Sequence, residues 1–161
     1  RAHPHPRPRA SLRLLQRLGE HLQRNGADAQ AQDDARDILR YFDIAAPQHH
    51  EDEERHVLPA LRAAGHAEVA DRIAADHAVM HAAWQELRLQ LQAVQAGAAE
   101  AAASAEVQAQ WRAFAALYRR HIELENATAF PVARAALDAQ RQEVMGREMA
   151  RRRGVTSDRS T

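Results

Sequence analysis

Nearly the whole chain between residues 10 and 150 consists of strong helix-forming residues, and this limits the folds that it can adopt. Ala, Leu, Gln, Arg and Glu dominate the region, whereas the β-branched residues that favour strands are scarce. No stretch alternates apolar and polar residues convincingly, as a half-buried strand does. The sequence therefore predicts an all-α protein.

Weak breaks divide this region into four long helical segments. They are predicted to run from Ser11 to Gly26, from Asp33 to Ala64, from Ala67 to Gln95 and from Ser104 to Asp138. Apolar residues line one side of the first segment and of the fourth. These residues are Leu12, Leu15, Leu18 and Leu22, and Val107, Trp111, Phe114, Tyr118 and Ile122. Because the connections are short, we expect an up-down antiparallel four-helix bundle.

The two ends of the chain differ from the predicted bundle, which we assign to residues 11–138. Residues 1–10 contain three prolines and are predicted to be irregular. Residues 139–161 are predicted to form a short fifth helix and then a disordered tail. The three consecutive arginines at 151–153 are interpreted as part of this loose polar end.

Composition excludes several classes of function. The 22 basic residues, all of them Arg, balance 22 acidic ones, and this zero net charge argues against a nucleic-acid binder. The chain has no cysteine, which excludes disulfides, thiolate nucleophiles and cysteine-ligated metals. No apolar run reaches the roughly 20 residues of a membrane span, and we expect a cytoplasmic setting. Sequence motifs for nucleotide binding are absent.

The chain has ten histidines, and several of them recur with glutamates at matched spacing. Segments 49–59 and 121–131 both read His-x3-Glu-x5-Pro, with the pairs His49 and Glu53, and His121 and Glu125. Residues four apart stack on one face of a helix, where imidazole and carboxylate can reach the same ion. The third helix carries His77 and His81 at the same spacing. Counting along the helices at ~1.5 Å per residue places all six groups at one level of the bundle.

Six such groups in one slab of a bundle core point to a metal site. Burying imidazoles and carboxylates without a counter-charge is costly, and metal cations remove that cost. Imidazole and carboxylate ligands without sulfur suit iron, manganese or zinc. The number of ligands exceeds what one tetrahedral zinc needs and fits two octahedral ions, with Glu53 and Glu125 as bridges.

These residues resemble the hemerythrin-like family of HHE cation-binding domains. The resemblance rests on HHEDEERHVLPAL at 49–61, DHAVMHAAW at 76–84 and HIELENATAFP at 121–131, and it covers about residues 5–138. It implies a four-helix bundle with a non-haem di-iron centre, oxo- or hydroxo-bridged, held by five histidines and two bridging carboxylates. Six of these ligands match His49, Glu53, His77, His81, His121 and Glu125.

The resemblance also implies a histidine ligand on the first helix. His5 is the candidate, although the prolines on either side of it disfavour helical geometry there. His50 and Glu54 are the alternative to His49 and Glu53 if the second helix is rotated by one residue. Glu51 and Asp52 are interpreted as a solvated helix face.

We expect the protein to bind two iron ions, and through them dioxygen, nitric oxide or another small oxidant. The alternatives are an oxidoreductase that consumes peroxide or nitric oxide, an iron storage or sensing protein, and a metal-free helical scaffold. The sequence does not decide between carrier, sensor and enzyme, and manganese or zinc can occupy the same groups.

Overall fold

The computed structural model describes residues 8–98, 100–136 and 139–154. All secondary structure in these ranges is helical and no strand is assigned there, as the sequence predicts. We number five helices in chain order: α1 (Pro8–Asn25), α2 (residues 29–63), α3 (Ala67–Gln95), α4 (residues 105–136) and α5 (Ala139–Arg152). None of the described helices is both long and apolar enough to cross a membrane.

Helices α2 and α4 are not uniform, because short π-helical turns interrupt their α-helical geometry. In α2 the turns are Tyr41–Ala45 and Glu53–Val57, and in α4 the turn is Glu125–Ala129. The α-helical parts of α2 are Ala29–Arg40, Ala46–Asp52 and Leu58–Ala63, and those of α4 are Ala105–Leu124 and Phe130–Ala136. The sequence pattern predicts continuous α-helices in both segments, so these turns are a finding of the structure.

Local sequence explains most helix ends. The Asp28 side chain accepts a hydrogen bond from the Ala31 amide and caps the start of α2. Gly65 and Gly97 adopt positive φ angles of 87° and 91°, a conformation that stops α2 and α3 without steric cost. The described part of helix α1 includes residues 8–10, before the predicted start at Ser11.

The described residues divide into two compact units, the first of which lies within residues 1–47 and 76–122. Its core contains the predicted apolar side of α1, since Leu12, Leu15, Leu18 and Leu22 are all buried. On α4, Trp111, Phe114 and Tyr118 are buried, while Val107 and Ile122 are partly buried. The two predicted apolar stripes are therefore confirmed.

The second unit consists of the described residues within 48–75 and 123–161 and has a smaller apolar core. The buried members of this core are Leu58, Leu61, Ala70, Ile73 and Ala129. Leu124 packs against it. Residues 155–161, where the disordered tail is predicted, lie outside the described residues, and the domain boundaries at residues 10 and 138 stay predictions.

Ion pairs connect the C-terminal region to α2 within the second unit. Arg152 and Arg153 both pair with Asp52, which is buried. Arg55 donates to Glu148 at 2.8 Å. Two interpretations of the sequence are therefore wrong: Asp52 is not solvated, and the arginines at 152 and 153 are not a loose end. The error arose because local sequence does not reveal a partner about a hundred residues away.

Candidate metal centre

Glu53 and Glu125 each occupy the first position of a π-helical turn that is followed by a proline. The Leu58 amide donates to the Glu53 carbonyl, and the Phe130 amide donates to the Glu125 carbonyl. Pro59 and Pro131 come directly afterwards. A proline inside a helix has no N–H to donate, and its ring collides with the carbonyl four residues earlier. A wider turn just before the proline relieves this conflict, so the recurring His-x3-Glu-x5-Pro spacing coincides with the two π turns.

The π turns also change which residues share a helix face. In a regular α-helix, residues five apart are separated by about 140° around the axis, because each residue turns by about 100°. A π turn brings them back to the same side. Glu53 and Leu58 are accordingly both buried, as are Tyr41 and Ala46 across the first π turn of α2. Local backbone geometry thus buries a carboxylate on the same face as the apolar core.

Four side chains form a cluster that can hold a metal ion: Glu53, His77, His121 and Glu125. Each offers one ligand atom, and these atoms all lie within 4.8 Å of one another. The exposed fractions of the four residues are 2%, 5%, 2% and 4% in that order. They belong to three different helices, α2, α3 and α4, as the spacing in the sequence predicts.

The chemistry of this cluster fits a cation with mixed nitrogen and oxygen ligands. Two carboxylates buried to this extent are costly unless positive charge compensates them. The two imidazoles supply nitrogen ligands, and the part of the chain that the structure describes offers no sulfur except in methionines. This donor set favours iron, manganese or zinc over calcium or magnesium, which prefer oxygen ligands alone.

The two buried histidines are held by each other and by a carboxylate. Their ring centroids lie 4.9 Å apart, with the planes inclined at 61°. The Nδ1 atom of His121 lies 3.1 Å from Oδ2 of Asp76. A carboxylate only accepts hydrogen bonds, so Nδ1 of His121 is the donor in this contact. Asp76 is not among the residues that the sequence analysis singles out, and the signal for it is its position directly before His77.

His49 and His81 are predicted ligands that the structure places outside the buried cluster. The His49 side chain is 52% exposed, but its Nε2 atom lies 2.7 Å from Oε1 of Glu53. His81 is exposed and lies one helical turn after His77. Both are one turn from a member of the cluster, and their assignment as ligands stays a prediction.

The remaining candidates differ in what the structure describes. His5 lies outside the described residues. In the alternative pair, His50 is half-buried and Glu54 is exposed, whereas Glu53 is buried. Neither His50 nor Glu54 belongs to the cluster of four. The cluster therefore contains Glu53 and not Glu54, and the choice between His49 and His50 stays a prediction.

Comparison with known proteins gives two matches. A model of the hemerythrin HHE cation binding domain matches residues 8–133. An uncharacterized protein of Haemophilus influenzae is 30% identical over 153 residues, which cover 94% of this chain and 86% of that protein. The domain match includes all four residues of the buried cluster. Together with the helical content of the described residues, it confirms the predicted all-α helical bundle.

Proposed function

Because the chain belongs to the hemerythrin HHE cation-binding domain family, we propose that it is a non-haem di-iron protein that binds dioxygen, nitric oxide or another small oxidant. The observation that carries this proposal is the buried cluster of two imidazoles and two carboxylates. Iron bound there would supply an open coordination position for a small ligand. The residues of the chain would hold the ions and limit the access of water.

The proposed ligand set extends the cluster to seven residues. Glu53 and Glu125 are the shared carboxylates, and His77 and His121 are the buried imidazoles. His49 completes the set on α2, where it already contacts Glu53, and His81 completes it on α3. His5 is the seventh residue of the proposed set. Four buried ligands suffice for one ion, so the second ion depends on these more peripheral histidines.

The apolar residues next to His121 along α4 support the binding of a small, weakly polar ligand. Tyr118 is buried one turn before His121, and Phe114 is buried one turn before Tyr118. The rings of Phe42, Trp84, Phe114 and Tyr118 pack with centroids 5.0 to 6.0 Å apart. An apolar wall of this kind restricts water and lowers the local dielectric constant.

Metal analysis of the purified full chain tests the proposal. We expect about two iron ions per chain. Glu53→Gln and Glu125→Gln should lose most of this iron, whereas the exposed neighbours Glu54→Gln and Glu123→Gln should retain it. Loss of iron in Glu54→Gln but not in Glu53→Gln would instead favour the rotated register with His50. A protein that stays folded and refuses iron would contradict the proposal.

Spectroscopy then separates the possible roles. Ultraviolet and visible absorption bands that change on adding azide or oxygen, and change back on its removal, would support reversible ligand binding. Sustained consumption of peroxide or nitric oxide, abolished in His77→Ala, would favour the oxidoreductase. Bands that respond to neither would leave iron storage or sensing. The cytoplasmic location expected from the sequence stays a prediction, which cell fractionation tests.

A further inference from the structure

Asp76 contacts the buried cluster from outside it. Its Oδ2 atom lies 3.1 Å from Nδ1 of His121, and its side chain is 25% exposed, compared with 2% for the imidazole. Asp76 precedes His77 in α3, so one helical turn supplies both a member of the cluster and the residue that contacts a second member. The cluster of four potential ligands does not include Asp76.

This contact determines which nitrogen of His121 carries the hydrogen. A neutral imidazole has one N–H and one nitrogen with a lone pair, and the hydrogen bond made by one nitrogen fixes the role of the other. Asp76 accepts from Nδ1, so the lone pair belongs to Nε2. We propose that Asp76 is a positioning residue that holds His121 as the Nδ1–H tautomer and directs Nε2 toward the bound cation. This inference rests on the metal centre proposed above.

The environment of the pair supports a role beyond packing. The edge-to-face contact with His77 restrains the His121 ring on one side, and the hydrogen bond to Asp76 restrains its rotation. A carboxylate behind an imidazole ligand also raises the basicity of the ligand and compensates part of the charge of the ion. Because the Asp76 side chain is 25% exposed, one of its oxygens can contact the imidazole while water still solvates the group.

The first measurement needs no metal. Nitrogen-15 NMR of histidine-labelled, metal-free protein at a pH of about 8 distinguishes the two tautomers of a neutral ring. The His121 signals are those that disappear in His121→Gln. We expect Nδ1 to be protonated in the wild type and in Asp76→Asn, whose amide oxygen still accepts. We expect the proton to move to Nε2 in Asp76→Ala. Any other protonation pattern in the wild type overturns the proposal.

The second measurement is the affinity for iron(II), determined by competition with a chromogenic chelator. Asp76→Ala should weaken binding by about 10- to 100-fold, the usual effect of removing such a supporting residue. Asp76→Asn should weaken it less, since the hydrogen bond survives the loss of charge. Asp71→Asn is the matched control, because Asp71 is an exposed acid of the same helix paired with Arg62, and it should leave the affinity unchanged.

The two measurements test the metal centre and the positioning role of Asp76 independently of each other. If the wild type binds no iron, the proposed metal centre is wrong, while the tautomer still decides whether Asp76 controls the His121 ring. If iron binds and Asp76→Ala binds it as tightly as the wild type does, the positioning role is wrong and the metal centre stands. Circular dichroism establishes that each variant is folded. Should Asp76→Ala not fold, Asp76→Asn must show reduced affinity with an unchanged tautomer, or the proposal is overturned.

Discussion

Segments 49–59 and 121–131 have the same His-x3-Glu-x5-Pro spacing. In the structure their glutamates are buried alike, whereas their histidines differ in burial. Both glutamates begin a π turn and are buried, with 2% and 4% of Glu53 and Glu125 exposed. The histidines diverge: the His49 side chain is 52% exposed, and that of His121 is 2% exposed. The carboxylate position follows from the backbone of its own helix, whereas the histidine position depends on what the rest of the fold places around it.

Two other matched positions show the same divergence. Asp52 corresponds to Leu124, and the structure buries Asp52 and partly buries Leu124. Asp52 is paired with arginines, while Leu124 packs against an apolar core. His56 corresponds to Thr128, and only the histidine titrates. The repeated spacing therefore constrains the backbone and the carboxylate, and leaves the intervening positions to different chemistry.

The largest expected effect is the loss of folding when a residue is deleted outside a π turn, and comparison with deletions inside the π turns tests whether these turns are what the two segments share. Deleting the exposed Ala127 or Glu54 removes one residue from a π turn and can restore α-helical geometry without rotating the flanking residues. We expect each deletion to lower the melting temperature by several degrees, which corresponds to a loss of about 1–2 kcal/mol in the free energy of unfolding. Deleting the exposed Arg119 from the α-helical part of α4 rotates Tyr118 relative to His121 and should prevent folding. Thermal unfolding followed by circular dichroism measures all three.

An equal loss of thermal stability on deleting Ala127 and Arg119 would show that the π turn tolerates the loss of a residue no better than the α-helix does. A difference between Ala127 and Glu54 would show that the two π turns are not equivalent. Either result would contradict the conclusion that the two segments share the same backbone feature.

The next effect concerns metal affinity and tests whether burial separates the two histidines. His121→Ala removes a buried imidazole that Asp76 supports, and we expect about a 100-fold loss of affinity for iron(II). His49→Ala removes an exposed imidazole, and we expect about a 10-fold loss or the loss of one of two ions. His66→Ala is the control, because His66 is exposed at the loop before α3. Chelator competition and iron per chain measure both losses, and equal losses would contradict the distinction.

Sequence alone predicts the helices, the apolar stripes of α1 and α4, and the residues that form the buried cluster, because spacing in a helix determines which side chains share a face. It does not predict the π turns, because the prolines at 59 and 131 indicate a disturbance of the helix but do not distinguish a π turn from a kink or a helix end. It also does not distinguish His49 from His121, because their local patterns are identical. The contacts of Asp76 and Asp52 depend on residues far away in the chain, and local spacing carries no signal for them.

A smaller effect is expected at the matched positions Asp52 and Leu124. Replacing both Arg152 and Arg153 with Ala leaves a buried carboxylate without these cationic partners, and we expect about 2 kcal/mol of destabilisation. Adding Asp52→Leu to this variant should recover most of the loss, because Leu occupies the equivalent position in α4 and an apolar side chain can replace a buried ion pair. Urea unfolding measures the free energies. No recovery would indicate that the site around Asp52 cannot accept an apolar residue.

The smallest expected effect is a pH dependence at the matched positions His56 and Thr128. Burial lowers the pKa of His56, an effect that Arg152 and Arg55 reinforce and the charge of Glu148 opposes. The unfolded chain, in which this histidine titrates near pH 6.5, therefore takes up the proton more readily than the folded protein. The free energy of unfolding should fall as the pH decreases from about 7 through 6.5 to the lower pKa of the folded state.

His56→Thr makes α2 like α4 at this position and supplies the control. The other histidines titrate in both proteins, so the difference between the wild type and His56→Thr isolates the contribution of His56. We expect this difference to be flat above a pH of about 7.5 and to turn against the wild type as the pH decreases below about 6.5. Urea unfolding at a series of pH values measures it. A difference that turns in favour of the wild type at low pH would mean that the attraction of Glu148 exceeds the cost of burying the charged ring.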